Sequence, residues 1–323
     1  MRLIKPSVKI LEIDNPFLDR DFSIQEQCLN LVFCQIEVAG RTCYKSEDKI
    51  TLGSAKKFVE MLINRGHTAM LEHGTVYLFI GKNIGGSLAR YLDDKFSVVK
   101  EFDGDNYITT NYRVLYENGW LEDLYYICEP TEHHEKRISV RFVCDRGVSH
   151  ELVRHRAFSF AQESTRYCNY SKDKFGNELT FIRPLWLHDR CDASNEGKAR
   201  KLFEDFCEKA ERDYLYLVNE LDWQPQQARA VLPNSLKTEV VMTGFLSDWI
   251  GKIHVYTKPK NVFCCVKRWS DVTETNTRYD YHASDFKIYV NGFFPLRTAD
   301  TAHPQMRELA QPLYEQFKER DLV

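Results

Sequence analysis

The chain has 323 residues, of which 43% are apolar and 13% aromatic, so it can bury a sizeable core and is not a disordered or fibrous protein. Its 44 basic and 47 acidic residues leave a formal net charge of −3, which argues against a whole-protein attraction to nucleic acid. Any anion that the protein binds must therefore be held by a local cluster of charges.

The cysteine pattern and the first 13 residues bear on the cellular compartment in which the protein is expected. The ten cysteines include no Cys-x-x-Cys pair, so the usual ligand spacing of a zinc site is absent and we expect no bound metal. Residues 1–13 alternate polar and apolar side chains and lack the apolar run of a signal peptide. No stretch approaches the roughly 20 apolar residues of a membrane span. We therefore expect reduced thiols in a cytoplasmic protein.

In the first half of the chain, two segments have clear secondary-structure patterns. Residues 54–66 are predicted as a helix, because apolar side chains recur at helical spacing and Gly66 stands where a C-terminal cap belongs. Residues 75–80 are predicted as a strand. Residues 81–135 show no clear period, and we expect an inserted segment there.

The middle of the chain gives a strand signal followed by helix signals. Residues 138–144 alternate apolar and polar side chains, as a half-buried strand does. Asp145-Arg146-Gly147 predicts a turn, and the chain from Val148 to Arg156 is predicted to open a helix. Residues 196–221 give the clearest helix, with one apolar stripe that we expect in the core. That stripe consists of Leu202, Phe203, Phe206, Cys207, Ala210, Tyr214, Leu217, Val218 and Leu221.

The last third of the chain has weaker patterns. Pro225 and Pro233 bracket a second helical piece. Residues 238–245 continue as a helix or a strand, since periodicity alone does not decide between them. Residues 252–292 change to β-rich runs separated by polar turns, which predicts an inserted hairpin or small β subdomain. Residues 303–319 are predicted as a helix.

The most unusual segment runs from Arg154 to Tyr167 and has the sequence RHRAFSFAQESTRY. A polar, hydroxyl-rich stretch separates its basic triplet from Arg166, so the chain can loop back and bring the two basic groups together. Guanidinium groups fork onto phosphate oxygens, and two such groups suit two phosphates, those of a nucleotide cofactor and of a nucleotide substrate. The amide of Gln162 offers a donor and an acceptor to the edge of a pyrimidine or flavin ring.

The basic triplet also has a simpler interpretation. Three consecutive basic residues on a helix are commonly a solvated face, or they pair with nearby acids such as Glu151 and Glu163. The fixed order of two serines, a glutamine and a further arginine after the triplet favours the binding hypothesis.

The triplet Arg154-His155-Arg156, followed after seven residues by Ser164, resembles the signature of the flavin-dependent thymidylate synthases (ThyX). Three other segments resemble this family in the same order along the chain, and together the blocks span about residues 40–317. These segments are Gly66 to His73 (GHTAMLEH), Ala228 to Pro233 (ARAVLP), and Leu296 to Ala299 (LRTA) with His303 to Leu309.

The resemblance implies roles for the matching residues. Arg297 falls on the arginine that is proposed in the family to stabilise the ionised uracil ring, and it is our catalytic prediction. The residues expected to contact FAD are His67, Ala69, Arg154, His155, Arg156 and Gln162. The residues expected to contact dUMP are Glu151, Arg154, Gln162, Glu163, Ser164, Thr165, Arg166 and Arg229.

The chemistry that the resemblance implies is reductive methylation of dUMP to dTMP. A cation held against the uracil ring stabilises negative charge there and helps to activate a carbon that is a poor nucleophile. FAD carries the hydride chemistry, with NADPH and methylenetetrahydrofolate as co-substrates, so no protein nucleophile is required. We therefore interpret Ser164 as a binding residue. A serine hydrolase would need the strained Gly-x-Ser-x-Gly elbow, which is absent.

The resemblance also implies a fold and an assembly. We expect an α/β (α+β) fold with a central sheet flanked by helices, as one domain over residues 1–323. We expect a homotetramer with active sites shared between subunits, and neither a nucleic acid nor a membrane as partner. A related pyrimidine-nucleotide methyltransferase or hydroxymethyltransferase stays open as an alternative. So do a phosphate- or nucleic-acid-binding module and a flavin-binding protein without turnover.

Two features depart from the family pattern. Family members usually carry asparagines that contact the adenine end of FAD after the Leu-Pro segment, where this chain has Thr243-Gly244-Phe245. The insertion at residues 252–292 also separates Trp249 from Phe293, which adjoin closely in shorter members. Asn291 precedes the restart of the resemblance and is a candidate to replace the lost contact.

Overall fold

The computed structural model describes residues 1–13, 22–82, 88–187, 195–257, 265–266 and 286–323. Their contacts group into two compact units, Met1–Thr243 and Gly244–Val323. Helices and several small sheets occur in the chain, which confirms a mixed α/β fold; the single domain over residues 1–323 stays a prediction. No helix among the described residues has both the length and the apolar character of a membrane span.

The largest sheet of the first unit has four strands. They are β2 (Ser7–Ile10), β6 (Arg137–Asp145), β9 (Lys237–Phe245) and β7 (Ser159–Gln162), in that spatial order. β2 runs antiparallel to β6 and β7 antiparallel to β9. The predicted alternation at 138–144 is confirmed, since Val140 and Phe142 are fully buried. In β9, every residue from Thr238 to Phe245 is buried, so its sequence has no period of two and did not identify it as a strand.

Two smaller sheets complete the first unit. β1 (Arg2–Ile4) pairs in parallel with β8 (Thr180–Ile182). β3 (Thr75–Ile80), β5 (Asp105–Asn111) and β4 (Val98–Phe102) form an antiparallel sheet, and the strand predicted at residues 75–80 is confirmed.

Part of the inserted segment 81–135 is therefore a β-hairpin. The turn between β4 and β5 consists of Asp103 and Gly104, both with positive φ (52° and 81°). An Asp-Gly pair is a favoured two-residue hairpin turn, and it is the sequence signal for this hairpin that periodicity did not reveal.

Four helices lie in the first part of this unit. They are α1 (Ile24–Tyr44), α2 (Ser54–Asn64), α3 (Leu88–Leu92) and α4 (Tyr112–Asn118). α1 begins with a capping box between Ser23 and Glu26. The helix predicted at 54–66 is confirmed, and Gly66 takes a left-handed φ of 67° just beyond its end. α1, α2 and β3 pack around a core that includes Ile36, Leu62, Leu71, Leu78 and Ile108.

Helix α5 (Arg146–Leu152) corrects two predictions. Asp145 does not begin a turn; its Oδ1 accepts a hydrogen bond from the Val148 N–H at 2.7 Å and caps the helix. The helix also ends at Leu152 rather than at Arg156, so the basic triplet lies beyond it.

The remaining helices of the first unit are α6 (Asn195–Asn219) and α7 (Pro225–Ala228), which is followed by a 3₁₀ turn at Arg229–Val231. Both predicted helical pieces are confirmed. The stripe of α6 is only partly core: Tyr214 is fully buried, whereas Leu202 and Phe206 are 73% and 54% exposed.

The second unit combines helices with a small sheet. Its helices are α8 (Leu246–Ile250), α9 (Phe293–Arg297) and α10 (Pro304–Lys318). β10 (Lys252–Thr257) runs antiparallel to β11 (Cys265–Val266) and β12 (Phe286–Asn291), as the β-rich pattern of 252–292 predicts. Residues 258–264 and 267–285 of that prediction lie outside the described residues. An aromatic core joins the helices through Trp249, Phe293, Phe294 and Phe317.

Candidate active site

The triplet Arg154-His155-Arg156 lies in a turn between α5 and β7. The N–H of Arg154 donates to the carbonyl of Glu151 at 3.3 Å, which begins the turn. Arg154 and Arg156 are exposed, whereas Glu151 and His155 are half-buried, and the His155 ring meets Phe158 edge-on at 6.1 Å. The turn therefore presents two guanidinium groups to solvent, as an anion site requires.

Gln162 ends strand β7 with its amide held by the fold. Its Nε2 donates to Ser149 Oγ at 2.9 Å and to Thr238 Oγ1 at 3.2 Å. These two bonds fix the plane of a half-buried amide beside the motif segment.

Glu163, which follows, is turned inward. It is 1% exposed, and its two carboxylate oxygens accept from Lys237 Nζ at 2.9 Å and from the Tyr170 hydroxyl at 3.0 Å. Its N–H donates to the carbonyl of Glu239 at 2.8 Å, which extends the pairing of β7 with β9. The Glu163 carboxylate is thus engaged by the protein, and its contact with dUMP stays a prediction.

A second buried carboxylate, Glu239, lies beside it and is surrounded by cations. Lys45 Nζ donates to Glu239 at 2.9 Å, and Lys237 and Arg141 also pair with it. Burial acts to raise the pKa of Glu239, but the charges of Lys237 and Lys45 outweigh it and lower that pKa to about 2. We call Lys45, Arg141, Glu163, Lys237 and Glu239 the buried ionic network.

Ser164, Thr165 and Arg166 form the next turn of the chain. The Ser164 N–H donates to the Cys43 carbonyl at 3.0 Å, and Ser164 Oγ accepts from the Arg166 N–H at 3.2 Å. Arg229 Nη1 donates to Thr165 Oγ1 at 3.4 Å. Both arginines are exposed, so residues 64 positions apart combine guanidinium and hydroxyl groups at one place.

His67 reaches the same neighbourhood through Tyr44. The Tyr44 hydroxyl lies 2.6 Å from His67 Nδ1, and the Tyr44 ring packs against the Tyr167 ring at 5.4 Å. The Arg166 guanidinium carbon lies 5.3 Å from the centre of the Tyr167 ring. His67 is half-buried and Ala69 is exposed, so the Gly-His segment and the motif segment are connected by side chains.

The segment where the family has asparagine is part of the core instead. Thr243 is fully buried, and its hydroxyl bonds with His73 Nδ1 at 2.8 Å and with Ser139 Oγ at 2.7 Å. Burial, followed by the nearby charge of Arg137, lowers the pKa of His73 to about 3, so the ring is neutral. Thr243 therefore holds two β-strands and the end of the Gly-His segment together, and does not offer a contact to a ligand.

Arg297, the predicted catalytic residue, belongs to the second unit. It is the last residue of α9 and is half-buried. The Thr298 hydroxyl donates to the Phe294 carbonyl at 2.7 Å and stabilises the end of this short helix. The role of Arg297 stays a prediction.

Sequence reasoning missed Tyr44, Lys237 and Glu239. Lys237 and Glu239 are two residues apart in β9, so they lie on one face of the strand, and their opposite charges at this spacing were a signal for them. That signal required β9 to be identified as a strand. Tyr44 carried no local signal, because it ends an amphipathic helix like many core residues.

The chain matches the family model described as thymidylate synthase complementing protein over residues 120–261. It is 26% identical over 221 residues to a flavin-dependent thymidylate synthase of Corynebacterium efficiens, covering 66% of this chain and 63% of that protein. A protein of the same name from Corynebacterium aurimucosum is 25% identical over 224 residues, with the same coverage. One from Geobacter sulfurreducens is 34% identical over 99 residues, covering 30% of this chain and 38% of that protein.

The chain thus spans 63% of the length of the first two relatives. The model match includes the basic triplet, the Ser164 turn and Arg229. The resemblance drawn from the Arg-His-Arg segment is confirmed: the family model described as thymidylate synthase complementing protein matches this segment, and the relatives named above are flavin-dependent thymidylate synthases.

Proposed function

We propose that the protein is a flavin-dependent thymidylate synthase, which methylates dUMP to dTMP with FAD, NADPH and methylenetetrahydrofolate. One observation carries the proposal: Arg229 reaches Thr165 at 3.4 Å beside Ser164 and Arg166. The Arg229 guanidinium and the Thr165 hydroxyl, with Ser164 and Arg166 as the sequence neighbours of Thr165, offer groups suited to a nucleotide phosphate. The names of the relatives support the use of a flavin.

The residues present fit the phosphate portion of FAD. Arg154 and Arg156 are exposed, and within the described residues neither forms an ion pair. Two cations separated by one residue in the same turn are suited to a pyrophosphate. Thr243 does not replace the family's asparagine at the adenine end, since its hydroxyl is used inside the core.

In the proposed reaction the chain's own residues bind, orient and stabilise charge. Ser164, Thr165, Arg166 and Arg229 hold the phosphate and sugar of dUMP. Gln162, whose amide plane is fixed by Ser149 and Thr238, orients the pyrimidine ring against the flavin. FAD supplies the hydride chemistry when bound.

Arg297 is proposed as the cation that stabilises the ionised uracil ring. The resemblance of Leu296-Arg297-Thr298-Ala299 to the closing segment of the family supports this role. Shared active sites in a homotetramer, and a location in the cytoplasm, are proposed on the same resemblance.

Flavin binding and turnover test the function. The protein reconstituted with FAD should be yellow, and it should release tritium from the methylated ring carbon of labelled dUMP when both co-substrates are present. Mass spectrometry of the product distinguishes methylation from hydroxymethylation. A protein that stays colourless after reconstitution excludes the mechanism.

Arg297→Ala tests the catalytic assignment. We expect the variant to retain FAD and to lose dUMP methylation by about 100-fold or more, as removal of a charge-stabilising donor does. Arg212→Ala, which removes an exposed arginine on α6, is the matched control and should leave turnover unchanged. Wild-type turnover in Arg297→Ala would remove Arg297 from this role.

A further inference from the structure

Tyr44 connects two parts of the candidate site that are far apart in sequence. Its hydroxyl lies 2.6 Å from His67 Nδ1, and the phenol and imidazole planes differ by only 21°. The two rings are therefore nearly parallel, and the 2.6 Å separation is that of a hydrogen bond between the hydroxyl and the ring nitrogen. The Tyr44 ring also packs against the ring of Tyr167 in the motif segment, with 5.4 Å between the ring centres.

The backbone on both sides of Tyr44 is anchored. The Cys43 carbonyl accepts the Ser164 N–H at 3.0 Å. Lys45 takes a left-handed φ of 48° at the end of α1, and its Nζ bonds with Glu47 and Glu239, each at 2.9 Å. The position of the Tyr44 hydroxyl is thus set by the residues that hold the motif segment.

In the contact between Tyr44 and His67, the group that donates depends on the tautomer of His67. Burial, followed by the neighbouring Cys43 and Tyr167, raises the pKa of Tyr44, so the phenol keeps its proton. The unprotonated nitrogen of a neutral imidazole is a better acceptor than a phenol oxygen. If Nδ1 accepts, the single proton of the neutral ring is on Nε2.

We propose that Tyr44 is a positioning residue that holds His67 in the Nε2–H tautomer, so that His67 offers a hydrogen-bond donor to a carbonyl or ring nitrogen of a planar heterocyclic ligand. The class of ligand rests on the proposed function, whereas the tautomer does not. Tyr44 acts through His67 and need not touch the ligand itself.

The tautomer can be observed directly. In protein labelled with ¹⁵N at histidine, long-range proton–nitrogen correlations distinguish the two neutral forms at a pH well above the ordinary imidazole pKa of about 6.5. We expect the His67 signals, assigned by their loss in His67→Gln, to show the Nε2–H form in the wild type. In Tyr44→Phe they should show a mixture of both forms.

Tyr216→Phe is the matched control, because Tyr216 is 58% exposed on α6 and should leave the His67 signals unchanged. A wild-type His67 in the Nδ1–H form overturns the proposal. A Tyr44→Phe spectrum identical to that of the wild type does so as well. The wild-type spectrum alone decides the case if the variant does not fold.

Kinetics separate this inference from the proposed function. In a protein that methylates dUMP, Tyr44→Phe should raise the KM for the folate or the Kd for FAD by about 2- to 12-fold, the effect of one lost hydrogen bond. The KM for dUMP should not change. If the wild-type protein does not methylate dUMP but the His67 tautomer depends on Tyr44, the proposed function is wrong and the positioning role of Tyr44 stands.

Discussion

The two halves of the Arg154–Tyr167 segment are built in opposite ways. In the first half, Arg154 and Arg156 are exposed in a turn held by backbone hydrogen bonds. In the second half, Glu163 is 1% exposed and belongs to the buried ionic network. The first half thus directs charge outward, whereas the second neutralises charge inside the protein.

This difference separates binding from positioning. Buried charges are tolerated when they are paired and hydrogen-bonded, and the Glu163 end of the segment meets both conditions with Lys237 and Tyr170. Exposed guanidinium groups add little to the stability of the folded chain, but they are available to an anion. The comparison predicts that substitutions in the second half change stability, whereas those in the first half change ligand affinity.

The largest effect is expected for Lys237→Met. The substitution leaves the Glu163 carboxylate buried without its cation, and breaking such a pair costs about 3–5 kcal/mol of unfolding free energy. Urea unfolding followed by circular dichroism measures this loss.

Lys209→Met is the matched control for that experiment, because Lys209 pairs with Asp213 on the surface of α6 with 62% of its side chain exposed. Its effect should stay within about 1 kcal/mol. Equal losses in the two variants would show that the network is not a stabilising feature of the second half.

The second-largest change in unfolding free energy is expected on lowering the pH. The folded-state pKa of Glu239 is lowered from 4.5 to about 2, so the unfolded chain binds this proton more readily. The contribution of Glu239 is present above about pH 4.5 and is lost as the pH falls toward 2. It amounts to about 3 kcal/mol at 1.36 kcal/mol per pKa unit.

The unfolding free energy of the wild type should therefore fall more steeply than that of Glu239→Gln between these two pH values. Glu60→Gln, on the exposed side of α2, should follow the wild type. If the Glu239→Gln and wild-type slopes coincide, the cations around Glu239 do not hold it ionised.

The smallest change in stability is expected in the first half. Arg154→Ala and Arg156→Ala should each alter the unfolding free energy by no more than about 0.5 kcal/mol. Each should weaken FAD binding by about 10- to 100-fold, the range for a lost charge-assisted hydrogen bond. Fluorescence titration with FAD measures the affinity, and Arg212→Ala should bind as the wild type does. A loss of unfolding free energy as large as that of Lys237→Met would show that these arginines stabilise the folded chain, contrary to the prediction.

Local sequence patterns predicted the helices and strands whose apolar residues recur with a regular period or whose ends carry a capping residue. Helix α2 with Gly66 beyond its end, strand β3 and the alternating strand β6 followed from the sequence. Strand β9 did not, because burial on both faces removes the alternation. Helix α5 begins earlier than predicted. Aspartate is common both in turns and at helix N-caps, and Asp145 is an N-cap here.

The sequence placed Gln162 to Arg166 in one candidate site because these residues are contiguous. The structure adds that Arg229 donates a hydrogen bond to Thr165, and the roles of these residues stay predictions. The buried ionic network draws on Lys45, Arg141, Glu163, Lys237 and Glu239, and the Tyr44–His67 bond spans 23 positions. Contacts between distant positions depend on strand register and helix packing, which no local period encodes.

Lys45 shows what such a contact means for engineering a more heat-resistant variant. A non-glycine residue in the left-handed region carries a strain on the order of 1 kcal/mol, so a design scheme that scores backbone conformation alone would place glycine there. Glycine would relax the chain and withdraw the ammonium group from Glu239. The favourable choice at this position must therefore be judged by its distant carboxylate partner as well as by its own dihedral angles.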